Sequence, residues 1–249
     1  MHVIPVIDLL GRQVVRGVGG RRDEYRPIVS SLVASSEPGA VAAALQQSFR
    51  LPRVYVADLD AIMHSQRDVK SWQAIAAAGW QLTIDAGLQT ADDAAELRDF
   101  LARDFPGAEY VIGLESWKKL SDLEKLSRHG EPVLPSAVFS LDLKEGRPLT
   151  RDPAWHEASA VEIGRKVARC GIRRLIVLDL ADIGGGGGTS TLPLIRQLRQ
   201  EWPDLEIVAG GGIRGPADLR ELAAAGVSAA LVASALHDGR ITASDINAL

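Results

Sequence analysis

Arg53-Val54-Tyr55-Val56-Ala57-Asp58-Leu59-Asp60-Ala61-Ile62 aligns without a gap on Arg174-Leu175-Ile176-Val177-Leu178-Asp179-Leu180-Ala181-Asp182-Ile183. Each stretch is a strand-length apolar run that ends in an aspartate, so the two halves of the chain follow one plan. Ile7-Asp8-Leu9 with Gly11-Arg12 echoes Leu141-Asp142-Leu143 with Gly146-Arg147. Gly87 with Asp93-Ala94-Ala95-Glu96-Leu97 likewise echoes Gly212 with Asp218-Leu219-Arg220-Glu221-Leu222.

Working outward, short Val- and Ile-rich runs alternate with longer amphipathic segments, the pattern of parallel strands covered on both faces by crossover helices. The predicted strands are Val3–Ile7, Val54–Ala57, Gln81–Ile84, Tyr110–Ile112, Val138–Leu141, Leu175–Leu178, Glu206–Ala209 and Ala230–Val232. Eight such units share 249 residues at about 31 each, the arithmetic of an α/β fold with a single (β/α)8 TIM barrel over residues 1–249. Thr90-Ala91-Asp92-Asp93 and Pro216-Ala217-Asp218 read as capped helix starts. Gly17–Ser36 and Lys144–Ser159 are long, polar and Arg-rich, and are expected to act as lids or substrate clamps.

Composition narrows the function classes. A net charge of -4 without a block of Lys or Arg argues against a nucleic-acid backbone or an anionic membrane as partner. The chain opens on a strand-like run with no basic leader, and no apolar stretch approaches the ~20 residues needed to span a bilayer. Cys170, the single cysteine, is expected in a reduced cytoplasmic setting as a small core residue. His2, His64, His129, His156 and His237 lack metal-ligand spacing, so neither a metal nor a cofactor is expected. No protein partner is evident.

The chemistry gathers at strand ends. Asp8, Asp58, Asp142 and Asp179 each follow an apolar run, where an unpaired carboxylate is costly. For Asp58 and Asp179 the plain explanation is acceptance of loop N–H groups, with substrate contact as the alternative. Asp8 and Asp142 fall on opposite sides of a two-half barrel, where a facing pair can divide into general base and general acid. Gly210-Gly211-Gly212-Ile213-Arg214 ends the seventh strand and Val232-Ala233-Ser234-Ala235 the eighth. The N–H groups of Gly211, Gly212, Ala233 and Ser234 are therefore the expected grip for a phosphate. Gly184–Gly188 reads as a mobile loop, and without a Gly-Lys-Ser/Thr ending it is no triphosphate loop.

Ile4-Pro5-Val6-Ile7-Asp8-Leu9 with Val14-Val15-Arg16, Val56-Ala57-Asp58-Leu59-Asp60-Ala61, Ser140-Leu141-Asp142-Leu143, and the two glycine- and small-residue strand ends resemble the HisA/HisF barrels of histidine biosynthesis over essentially the whole chain. The resemblance implies that Asp8 and Asp142 are the catalytic pair of a metal-free Amadori rearrangement, converting an N-linked aminoaldose phosphate to an aminoketose. In HisA the substrate is a bisphosphate. Members that hold two phosphates carry Gly-Gly-Gly after the third strand and Gly-Thr or Gly-Ser after the fourth. Here those ends read Asp85-Ala86-Gly87-Leu88-Gln89 and Gly113-Leu114-Glu115-Ser116. A carboxylate about 4 Å from a phosphate costs ~1 kcal/mol or more. A monophosphate whose far end is neutral or amino-bearing is therefore expected, unless Arg21, Arg22 or Arg26 closes over Asp85 and Glu115. With Gly19-Gly20-Arg21-Arg22, Tyr25-Arg26-Pro27-Ile28 and Gly146-Arg147-Pro148-Leu149-Thr150, the chain looks most like a divergent HisA-related subgroup that accompanies tetrahydromethanopterin-type one-carbon metabolism. A lyase or condensing enzyme of one-carbon cofactor assembly and a non-catalytic phospholigand-binding barrel are the other two readings. No lysine stands at a strand end for a Schiff base, which weakens an aldolase.

Overall fold

A computed structural model describes residues 1–128, 136–184 and 187–249, with the backbone alone at residues 127 and 128. Its frame is eight strands: β1 His2–Leu10, β2 Arg53–Asp58, β3 Gln81–Asp85, β4 Glu109–Gly113, β5 Ala137–Lys144, β6 Arg174–Asp179, β7 Glu206–Gly210 and β8 Ala229–Val232. Each pairs in parallel with the next, and β8 returns to β1 in the register His2↔Ala229 to Pro5↔Val232, closing the barrel. Every predicted strand lies within an observed one.

Between strands run α1 Pro38–Phe49, α2 Val69–Ala77, α3 Ala91–Asp104, α4 Leu123–Arg128, α5 Ala160–Arg169, α6 Leu192–Glu201 and α7 Pro216–Ala224, with α8 Ala243–Asn247 closing the series. Thr90 caps α3 in a reciprocal box with Asp93, as its sequence predicts. α7 starts at Pro216, where its sequence predicts, but its cap is Gly215, without a side-chain bond. Asp218 instead turns back to accept the Arg214 N–H at 2.7 Å. Cys170 is buried at the end of α5.

Alternation along the strands sorts side chains into two layers. Ile4, Tyr55, Ala57, Val111, Val138, Ile176, Val208 and Leu231 fill the barrel interior. Residues of the opposite parity, such as Ile7, Val56, Ile84, Phe139 and Val177, pack against the helices. This parity places the site. Asp8 lies four residues beyond Ile4 and Asp142 four beyond Val138, so both share the inward register. Asp58 and Asp179 each lie three beyond an inward residue and share the outward one.

The two halves also repeat a local device. β1 turns into an antiparallel strand Gln13–Arg16 and β5 into Arg147–Pro148. The tips are Gly11-Arg12 (φ 56° and 63°) and Glu145-Gly146 (φ 53° and 77°), two-residue turns left-handed at both positions that match the strand twist. Gly11 thus corresponds to Glu145 and Arg12 to Gly146, so the Gly-Arg echo in the sequence is one residue out of step. Two aspartates hold the tips: Gly11 N–H donates to Asp60 at 2.7 Å, while Glu145 and Gly146 N–H donate to Asp179 at 3.0 and 2.7 Å.

Candidate active site

One cavity opens at the C-terminal ends of the strands, with an empty volume, open mouth included, of about 1130 Å³. Asp8 from β1, Asp142 from β5, Asp85 from β3 and Glu115 after β4 line it, together with Gly211, Gly212, Ala233 and Ser234 after β7 and β8. Asp58 and Asp179 do not. Asp58 accepts the N–H groups of Ala61 and Asp68 at 3.0 and 2.7 Å. Asp179 accepts those of Ala181, Glu145 and Gly146. Both buried carboxylates are occupied in holding loops, the plain explanation their positions allowed.

Asp142 is 5% exposed. Its Oδ1 accepts the Ser140 hydroxyl at 2.6 Å and its Oδ2 the Glu115 N–H at 3.2 Å. Burial, and then the charge of Glu115, drive its pKa well above the usual carboxylate range. Asp8 has no hydrogen bond to its carboxylate from any described residue; desolvation raises its pKa to about 7, against the pull of Arg22. Asp85 accepts Gly87 N–H at 3.0 Å and the Tyr55 hydroxyl at 3.1 Å, and burial lifts its pKa to about 6. Burial thus raises both strand-end aspartates, Asp8 and Asp142, above the usual carboxylate range, the direction that general acid-base chemistry at neutral pH makes use of.

The long loop after β1 covers this mouth. Gly17, Gly20, Arg22, Tyr25 and Ile28 line the cavity from it. Its anchors are Gly19 N–H to Ile183 O at 2.7 Å, Ser31 N–H and hydroxyl to His237 O at 2.8 Å each, and an ion pair between Arg16 and Asp238. Of the three loop arginines, Arg22 pairs with Glu115, Arg21 pairs with Glu24, and Arg26 donates to the carbonyls of Asp23 and Tyr25. The second long loop, Lys144–Ser159, supplies no lining residue. Its Asp152 accepts Leu120 N–H at 2.9 Å and so braces the β4 side of the barrel, which corrects the expectation of a second clamp.

At the opposite end the glycines are required. Gly211 and Gly212 take φ of 82° and 73°, and a Cβ on Gly212 would fall 2.1 Å from the Gly188 carbonyl oxygen. Of the glycine run after β6, Gly185 and Gly186 lie outside the described residues. Its flanks are tied down, with the Thr189 hydroxyl on Gly211 O at 3.0 Å and a Cβ on Gly184 excluded by Gly17 O at 2.8 Å.

Tyr55 and Tyr25 are lining residues that sequence reasoning missed. Both strand faces are apolar here, so nothing marked Tyr55 as inward; its place in the aligned repeat, opposite Ile176, was the one available signal. No described helix is long and apolar enough to cross a membrane.

Comparison with known proteins agrees with this geometry. An uncharacterized protein of Methanocaldococcus jannaschii is 30% identical over 246 residues, covering 99% of this chain and 97% of its own. The 1-(5-phosphoribosyl)-5-((5-phosphoribosylamino)methylideneamino) imidazole-4-carboxamide isomerases of Syntrophomonas wolfei and Thermus thermophilus are 30% and 27% identical, each over 97% of this chain and at least 95% of their own length. The family described as histidine biosynthesis protein matches residues 2–242. With a closed (β/α)8 barrel and both halves of the repeat in place, this chain belongs to that family of HisA/HisF barrels.

Proposed function

We propose that the chain is an aldose-ketose isomerase that performs an Amadori-type rearrangement on a phosphorylated aminosugar. The observation that carries this reading is a single cavity lined by the inward aspartates of β1 and β5 together with the glycine- and small-residue loops of β7 and β8. Asp142, as general acid, delivers a proton to the ring oxygen of an N-linked aminoaldose, which opens to an iminium at C1. Asp8 removes the proton at C2, giving an enol amine. Asp8 returns that proton to C1 while the C2 hydroxyl gives its proton to Asp142, leaving the carbonyl at C2 and restoring both acids, without gain or loss of atoms. The N–H groups of Gly211, Gly212, Ala233 and Ser234 form the phosphate grip in this reading.

The test is turnover. The purified chain is incubated with N-linked aminoaldose phosphates, the histidine-pathway bisphosphate included, and ketose formation is followed. Asp8→Asn and Asp142→Asn should each lower turnover about 100-fold or more while ligand affinity holds, the range a general acid or base supplies. Growth of a histidine auxotroph lacking HisA, with and without this gene, decides whether the bisphosphate is a physiological substrate. No ketose from any aminoaldose phosphate would end the proposal.

A further inference from the structure

We propose that Glu115 is a specificity-determining residue: by holding Arg22 it closes the β3–β4 end of the cavity to phosphate, so that the site takes a substrate with one phosphate, seated at β7 and β8. The inference rests on the reading of the cavity as an aminosugar phosphate site and narrows its substrate class.

The duplication supplies the comparison. Thr83 on β3 pairs with Glu109 on β4 as Val208 on β7 pairs with Ala229 on β8. Gly87 and Gly212 are both left-handed, at φ of 64° and 73°. Gln89 N–H donates to Asp93 at 3.0 Å as Arg214 N–H donates to Asp218 at 2.7 Å. Counted from these registers, Asp85 corresponds to Gly210, Gly87 to Gly212, Leu114 to Ser234 and Glu115 to Ala235. An anion grip at β7 and β8 therefore has a structural mate at β3 and β4.

In that mate the donors are taken. Asp85, which stands where β7 has a glycine, turns back to accept Gly87 N–H at 3.0 Å. Leu114 N–H donates to Ser140 O at 2.9 Å and Glu115 N–H to Asp142 at 3.2 Å. Gly87 itself is needed for packing, since a Cβ there would fall 2.5 Å from the Ile62 Cα. At the other end, the N–H groups of Gly212 and Ser234 have no acceptor among the described residues. A phosphate at β3 and β4 would find carboxylates and occupied donors; at β7 and β8 it finds free ones.

A cation could still compensate, and here Glu115 decides. The arginines lining the cavity are Arg16, paired with Asp238, and Arg22, which reaches from the loop after β1 to pair with Glu115. The Arg22 and Glu115 side chains are 25% and 22% exposed, so their attraction is stronger than between charges in open water. To bind Arg22, a second phosphate would have to displace Glu115 and leave a largely buried carboxylate without its partner. Ala235, the counterpart of Glu115, brings no such charge. With Glu115 neutral, Arg22 is free to grip a phosphate with two N–H groups.

Calorimetry at pH 7.5 tests this with the ketose form of the histidine-pathway bisphosphate and the two monophosphates left by removing either phosphate. The parent should bind the better monophosphate at least threefold tighter than the bisphosphate. In Glu115→Gln the order should reverse, with the bisphosphate at least tenfold tighter than either monophosphate. Adding Arg22→Gln should abolish that gain. Glu115→Ser makes the same test, so a folding failure of one variant leaves the other to decide. A parent that prefers the bisphosphate or binds none of the three ligands, a preference that neither variant reverses, or a reversal that survives loss of Arg22 would overturn the inference. The ketose is the product of the isomerisation, so binding is read without turnover and the two readings separate. Isomerisation by a parent that prefers the bisphosphate removes this inference alone, and the expected preferences without isomerisation of any aminoaldose phosphate remove the catalytic reading alone.

Discussion

Replacing Asp8 by Asn should cost activity and add stability, in a manner that depends on pH. The carboxylate is raised from an ordinary value of 3.8 to about 7, with desolvation as the main cause. A folded-state pKa above the unfolded one means that the folded chain binds this proton more tightly. Ionised Asp8 therefore penalises the fold above pH 7, and the penalty shrinks as pH falls toward 4. At ~1.4 kcal/mol per unit, a shift of about three units corresponds to ~4 kcal/mol, a ceiling that water entry through the open mouth reduces to about 2–4 kcal/mol. Asn keeps the shape and removes the charge. Urea denaturation of both proteins from pH 4.5 to 8.5 should show the variant more stable by that amount at pH 8.5, with the gap closing by more than half at pH 5. Asp85 and Asp142 titrate in both proteins, so their contributions largely cancel in the difference. A variant that is less stable than the parent at pH 8.5, or a gap that does not change with pH, would show that Asp8 is a structural partner and not a charge that weakens the fold.

The pH profile of kcat/KM for isomerisation should fall on the acid side with a slope of one and a midpoint near 7, because base catalysis needs Asp8 ionised. Arg22→Gln should move that midpoint upward, since Arg22 is the charge that lowers Asp8; a downward move would count against the pairing. Gly212→Ala has to relieve a 2.1 Å approach to the Gly188 carbonyl at a φ of 73°. The backbone conformation alone costs about 1–2 kcal/mol, and inorganic phosphate should bind at least tenfold more weakly by calorimetry. Asp58→Ala leaves two loop N–H groups without their acceptor; it should lower the unfolding free energy by about 1–3 kcal/mol in urea while kcat stays within threefold.

Much of the cavity's lining could be read before the fold was known, but unevenly. Asp8 and Asp142 stand out because the same short context occurs twice at half-barrel spacing. Gly211, Gly212, Ala233 and Ser234 stand out because small residues follow the last two strands of an eight-unit count. Asp58 and Asp179 carry an equally strong sequence signal and do another job, capping the short helices Leu59–His64 and Leu180–Asp182. Asp179 also grips the β5 hairpin tip. What separates the two pairs is one residue of register. In a parallel strand apolar on both faces, composition does not say which parity points inward.

The sequence by itself determined the (β/α)8 plan, the half-barrel duplication and the strand ends at which chemistry could occur, because periodicity, turn residues and repetition are local properties of a chain. Tertiary structure alone decided which acids meet. Arg22 and Glu115 lie far apart in the chain, as do Asp85 and Tyr55, and each pair forms only when the barrel closes. The elevated pKa values are decided at the same level, since desolvation and neighbouring charge belong to the closed cavity and to no single segment.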